Sequence, residues 1–184
     1  RMIKEYLNVI DNKSKKFLKE NVLHNLNFPY FLNHTEMDEG NSKITNKNND
    51  FCFFTHSVLH RPEKKLDNSI NSPLHPFAIK FFDQLSKKCK FKYKKIFRIS
   101  FNLTFNNGNI RSITHIDHYF PHKQLILYLH VDDLNSYTCI YNKSKTKVTK
   151  VKPEPYKGVI WNNLYNYHMV PKKGRRLILV YTFI

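Results

Sequence analysis

At 184 residues, 41% hydrophobic and 15% aromatic, the chain is one domain's worth and long enough to bury a core, which excludes intrinsic disorder. Lysine and arginine number 31 against 14 acidic residues, and the net charge of +17 raises an anionic partner, although a Lys- and Asn-rich composition of the kind AT-biased coding yields accounts for it equally. Only 4 glycines and no Gly-rich phosphate fingerprint argue against a nucleotide-cradling fold, and the lack of a long apolar run argues against a membrane span.

Residues 2–26 place Ile3, Tyr6, Leu7, Ile10, Phe17, Leu18 and Leu23 at roughly helical intervals, with Asp11-Asn12 as a break, so a helical preface is expected. Arg1 ahead of Met2 reads as a leftover residue before a native start. Asn27-Phe28-Pro29-Tyr30-Phe31 reads as a turn into an extended segment. Residues 41–50 are polar and aperiodic, the best candidate for a loop near a site entrance. Residues 51–56 are strand-like, and Pro73-Leu74-His75-Pro76 opens a helix through Phe77, Ile79, Phe81, Phe82 and Leu85.

From residue 95 onward the pattern changes to short strands at close spacing, over 96–105, 112–116, 124–131, 137–142, 147–151, 158–161, 167–170 and 176–183. Turn residues such as Asn106-Asn107-Gly108-Asn109 separate them, which predicts a sandwich or barrel. The expected fold is therefore mainly β with flanking helices around a jelly roll. It forms a single domain, helical over about 1–94 with its β core over about 95–184. Cys52, Cys89 and Cys139 are odd in number and widely spaced, without a C-x-x-C or zinc pattern, so no disulfide framework is expected and a reducing, cytoplasmic compartment is.

The chemistry is concentrated in His115, Asp117 and His168. Alternate side chains of an extended strand share a face, so His115 and Asp117 point one way and Ile116 the other. A third ligand must come from a neighbouring strand, and His168 lies between two apolar stretches that suit a strand end facing a cavity. Two imidazoles and one carboxylate on one face of Fe(II), with the opposite face open, is the ligand set of non-haem iron oxygenases. His118 and His122 are rival ligands, but neither has a same-face carboxylate two residues on.

These residues resemble the iron(II) and 2-oxoglutarate-dependent oxygenases, in particular small phage-encoded members and the prolyl-hydroxylase-like branch. Thr114-His115-Ile116-Asp117 resembles the family's metal strand, and residues 124–133 the aromatic strand after it. Residues 158–163 with His168 resemble the strand leading to the distal histidine, and residues 174–181 the closing strand. The resemblance covers most of the chain, with its specific motifs in residues 115–184. It implies a double-stranded β-helix core; metal ligands His115, Asp117 and His168; and the cofactors Fe(II), 2-oxoglutarate and O2, with ascorbate as an optional reductant.

The co-substrate's distal carboxylate calls for a planar, permanently charged fork, which Arg supplies. The family's Gly-x-Arg spacing favours Arg176, with Arg175 as the alternative; neighbours on a strand face opposite ways, so one of them turns inward. Tyr128 matches a family tyrosine that helps hold the same carboxylate, unless it is simply a core aromatic. Phe105 falls where related prolyl hydroxylases place another tyrosine and has no hydroxyl; Asn102, nearby, is a candidate polar substitute.

The implied reaction hydroxylates a C–H bond, with succinate and CO2 as co-products. The resemblance ranks a protein or peptide side chain first as substrate, nucleic acid second and a small molecule third, with no membrane partner and with a virus-encoded origin in keeping with the phage likeness. Phe91 and Tyr93 within the lysines of residues 87–95 form the mixture that single-stranded nucleic acid favours. The non-enzyme alternative is a cupin-like jelly-roll binding module, which would have no use for the trailing arginine.

Overall fold

A computed structural model describes residues 3–34, 51–62 and 68–184; the polar stretch 41–50 lies outside them. The chain runs β1 (Ile3–Tyr6), α1 (Asn12–Leu18), a π-helical turn (Lys19–Leu23), β2 (Phe31–His34), β3 (Cys52–Leu59) and α2 (His75–Lys88). It continues as β4 (Ile96–Phe105), β5 (Lys123–Val131), β6 (Thr138–Tyr141), β7 (Val148–Val151), β8 (Gly158–Asn162), β9 (Asn166–His168) and β10 (Arg175–Phe183). The strands form a seven-stranded sheet in the order β1-β8-β5-β10-β4-β3-β2 and a three-stranded sheet in the order β7-β6-β9. Every pairing is antiparallel. Two antiparallel sheets joined by long crossovers make the mainly β, jelly-roll architecture expected.

Strand alternation divides the interior into two compartments. On β10, Leu177, Leu179, Tyr181 and Phe183 join one cluster, while Ile178 and Val180 join the other. On β5, Leu125, Leu127 and Leu129 follow the first set, Ile126 and Tyr128 the second. A strand buried on both faces needs apolar residues at consecutive positions, which is why both segments read as unbroken apolar runs. The first cluster lies under α2, whose buried Ala78, Phe81, Phe82 and Leu85 recur at helical spacing. The second lies between the two sheets and includes Ile140, Val159, Trp161 and Leu164.

The preface over residues 2–26 departs from the helical expectation at its start, where β1 precedes α1, whereas β2 and β3 fall where the sequence reads as extended and strand-like. Ile3 and Tyr6 satisfy a helical interval, yet Ile3 pairs with Trp161 and Tyr6 with Gly158, completing the open edge of β8. Backbone hydrogen bonding to a waiting edge here outweighs local propensity. The break at Asp11 is a helix cap: its carboxylate accepts the Ser14 N–H at 2.9 Å and the Ser14 hydroxyl at 2.8 Å. Residues 112–116 are not a regular strand either, touching the sheets through single bridges, Arg111 to Met169 and His115 to Asn166.

Cys52, Cys89 and Cys139 are free thiols, the latter two buried. Among the described residues no helix is long and apolar enough to cross a membrane.

Phe82 is fully buried, with ring centroids of Phe91, Tyr93, Tyr181 and Phe183 at 5.4, 4.8, 4.5 and 5.0 Å. Phe82→Ala is expected to cost about 3–5 kcal/mol of unfolding free energy in a urea titration, as large aromatic truncations in close-packed cores do.

Candidate active site between the two sheets

The histidine pair is brought together by main-chain bonds around β9. His115 and Asn166 exchange N–H···O bonds of 3.0 and 2.9 Å. Three residues before His115, the Ser112 N–H donates to the His168 carbonyl at 2.8 Å, and the Ser112 hydroxyl accepts the His168 N–H at 2.9 Å. A serine side chain thus takes the place of a ladder bond, which is why this segment binds β9 without becoming a strand. The Nδ1 of His115 lies 2.9 Å from its neighbour's carbonyl at Ile113, so a proton there leaves the Nε2 lone pair for a ligand.

His168 packs the edge of its ring on Phe51, with centroids 5.6 Å apart, and its Nε2 lies 3.4 Å from the Thr104 hydroxyl. Burial, aided by the charges of Arg176 and His115, holds its pKa well below the ordinary histidine value. A buried neutral imidazole is the form a metal ion requires.

Asp117 is buried; one oxygen, Oδ1, accepts the Arg98 Nη1 at 2.7 Å, and the other, Oδ2, is buried with no hydrogen-bond partner. Burial pushes the carboxyl pKa up, but Arg98 together with His115, His118 and His122 outweighs that and leaves it below the usual carboxylate value. Among the described residues, no three His, Cys, Asp or Glu side chains are grouped closely enough to hold a metal ion. The structure brings His115 beside the His168 strand and sets Asp117 two residues on, without drawing the three into a cage. In kind, the donor set fits a divalent iron: two imidazoles, one with a free Nε2, and a carboxylate with an oxygen to spare.

The two rival histidines are otherwise engaged. His118 Nε2 lies 2.7 Å from the Thr182 hydroxyl, and the ring stacks on Phe120 at 4.7 Å. Burial pushes its pKa down to about 4, against the opposing pull of Asp117. His122, buried, sets Nδ1 2.9 Å from the Phe120 carbonyl and lies edge-on to His118.

At the other end of the same compartment sits Arg176, 1% exposed. Its Nη2 donates to the Thr138 hydroxyl at 2.9 Å, and the Tyr128 hydroxyl shares a 2.6 Å hydrogen bond with the same oxygen. The guanidinium also lies 5.4 Å from the Tyr128 ring centre, and its Nε is buried without a partner. Among the described residues no carboxylate pairs with it, although a buried cation is normally paired. Burial lowers the pKa of Arg176 and raises that of Tyr128. Thr138 is the register partner of His168, so this buried guanidinium adjoins the second histidine.

Arg175 is half-exposed, its backbone N–H bound to Asp132 Oδ2 at 2.9 Å. The turn before it needs glycine: Gly174 has φ +61°, and a Cβ there would meet Asp132 at 2.3 Å. Asn102 lies on the inner face of β4, where its Oδ1 accepts the Thr55 hydroxyl at 3.0 Å.

Sequence reasoning missed Thr138 and Arg98. The signal for Thr138 is a small hydroxyl side chain opening the largely buried strand Thr138–Tyr141. For Arg98 it is an arginine amid lysines, alternating with Ser100, Asn102 and Thr104 along a strand whose other positions are apolar.

Unfolded histidines take up a proton below about pH 6.5, whereas folded His118 does so only near pH 4. Between these values the unfolded chain binds more protons, so stability falls with falling pH. Asp117, with its pKa already lowered, stays ionised across most of that window and does not oppose the trend. Thermal midpoints should therefore drop steeply from pH 7 to 4.5, and His118→Gln should flatten that dependence.

No family model and no curated protein sequence matches the chain. Solved structures do. A 2OG-Fe(II) oxygenase-family oxidoreductase from Burkholderia pseudomallei superimposes with a TM-score of 0.76 at 9% identity, covering 99% of this chain and 84% of that one. A prolyl hydroxylase from Trichoplax adhaerens, in complex with a hypoxia inducible factor oxygen degradation domain peptide fragment, gives 0.66 at 12% identity, covering 100% and 83%. The epimerase SnoN, in complex with Fe3+, alpha ketoglutarate and nogalamycin RO, gives 0.64 at 9% identity, covering 100% and 78%. Agreement over the whole chain at such low identity establishes architecture, and the architecture is the double-stranded β-helix of the 2OG-Fe(II) oxygenases.

Proposed function

We propose that the protein is an Fe(II)/2-oxoglutarate-dependent dioxygenase that hydroxylates a C–H bond. The observation that carries the reading is Arg176: a guanidinium buried between two sheets, beside the histidine pair, with no carboxylate partner among the described residues. Such a charge calls for an anionic ligand, and a planar fork suits a carboxylate. His115, Asp117 and His168 would hold the iron. Arg176 would pair with the distal carboxylate of 2-oxoglutarate, and the hydroxyls of Tyr128 and Thr138, now bonded to each other, would turn to the same group. The half-exposed Arg175 and the Thr55-bound Asn102 stand as lesser candidates for that carboxylate. When bound, iron and co-substrate supply the activation of O2, with succinate and CO2 as co-products. The chain itself supplies ligand geometry and a dry wall of Ile126, Trp161, Ile178 and Val180.

For substrate, a protein or peptide side chain is favoured, in keeping with the peptide-bound prolyl hydroxylase among the structural neighbours. The case for nucleic acid is weakened by Phe91 and Tyr93, which are half-buried and packed against the core rather than standing free among the lysines. The three free thiols suit a reducing, cytoplasmic setting, in a host cell if the protein is virus-encoded.

With Fe(II), O2 and ascorbate present, the protein should release succinate from 2-oxoglutarate, and His168→Ala or Asp117→Ala should abolish this while leaving the far-ultraviolet circular dichroism unchanged. Retained turnover in either variant rejects the assignment. Arg176→Ala should raise the KM for 2-oxoglutarate about 10- to 100-fold, the worth of a charge-assisted hydrogen bond of ~1.5–3 kcal/mol; Arg175→Ala should leave it nearly unchanged, and the reverse result moves the role to Arg175. Succinate release against peptide, nucleotide and amino-acid pools then ranks the substrates.

A further inference from the structure

The ion pair between Arg98 and Asp117 is unusual in being almost dry. The two side chains are 18% and 3% exposed, and the contact is 2.7 Å. Taking both charges out of water costs several kcal/mol per ion, a cost recovered only when the remaining polar atoms are also satisfied. Here they are not, because Asp117 Oδ2 is left buried and unpartnered. Arg98 sits on the inner face of β4 and pairs in register with Thr182, which holds the His118 ring. The carboxylate is thus fixed from both sides, by Arg98 directly and by the chain running on through the anchored His118.

We propose that Arg98 is a positioning residue for the metal centre: by clamping Oδ1 it commits Asp117 to bind metal through Oδ2 alone. The inference rests on the iron reading above and extends it to a residue outside the ligand set. A guanidinium is suited to the task because it is permanently charged and its N–H groups are fixed in a plane, so the Nη1–Oδ1 contact both neutralises the carboxylate and holds one of its oxygens. Ligating carboxylates held this way typically lose 10- to 100-fold in metal affinity when the outer partner is removed. A lysine at the same place would keep the charge without the planar constraint.

The test is titration of the metal-free protein with Co(II), read by calorimetry and by the visible absorption of the bound ion. Wild type is expected to bind one equivalent. Arg98→Met should bind about 10- to 100-fold more weakly, with an altered Co(II) spectrum as the carboxylate rotates. Arg98→Lys retains the charge and guards against a folding failure in Arg98→Met; it should recover part of the affinity but not the wild-type spectrum. If Arg98 serves only stability, the variants will melt earlier but bind Co(II) with unchanged affinity and spectrum, which overturns the proposal and leaves the iron reading intact. Tighter binding in Arg98→Met overturns it too, showing that arginine and metal compete for Asp117. Failure of the wild-type protein to bind Co(II) removes the iron reading, and the proposal with it.

Discussion

A guanidinium enclosed by apolar side chains is tolerable only if its neighbours are arranged for it, and Arg176 sets that demand on the whole inner compartment. It enters because β10 is buried on both faces, so an inward position at its start has nowhere else to point. Tyr128 and Thr138 come to it from β5 and β6, two strands of different sheets, and their hydroxyls meet at one oxygen. The arrangement therefore ties the large sheet to the small one at the point where His168 pairs with Thr138. The buried guanidinium and the histidine pair are consequences of one packing solution.

What the sequence discloses and what it conceals divide along the same physical line. β5, β8 and β10 were legible because strands buried on both faces must be apolar at consecutive positions, and β4 because its apolar residues alternate with Arg98, Ser100, Asn102 and Thr104. The α2 helix was legible because its apolar residues keep a helical period. The edge strand β1 was not: four residues carry little periodicity, and its conformation is decided by the open side of β8. The segment holding His115 was expected as a strand and is held by two isolated bridges and a serine hydroxyl, bonds that no pattern of hydrophobicity records.

The basic character of the chain is a signal of another kind, legible in the sequence and qualified by the fold. Phe91 and Tyr93 alternate with lysines, which suggests a stacking surface. Both rings instead pack against Phe82 and Phe183, and the Tyr93 hydroxyl donates to Asp83. Alternation on a short connection between a helix and a strand has put the rings inward and the ammonium groups outward, as snorkelling lysines allow. Residue types alone do not give the direction of the side chains; the packing of the connection does.

The distribution of unsatisfied atoms adds a last step. Among the described residues, buried polar atoms without partners include Asp117 Oδ2, Arg176 Nε and Ser100 Oγ. Asp117 and Arg176 carry the candidate chemistry, and Ser100 shares the inner face of β4 with Arg98. Each such atom costs about 1–3 kcal/mol when left unmet. A fold without a ligand to serve would gain by replacing them with apolar groups. Trp161 Nε1 and Asn163 Oδ1 are unmet as well, but Asp117 and Arg176 alone among the five carry charge, and their needs are opposite: a carboxylate oxygen lacking a cation and a guanidinium nitrogen lacking an anion.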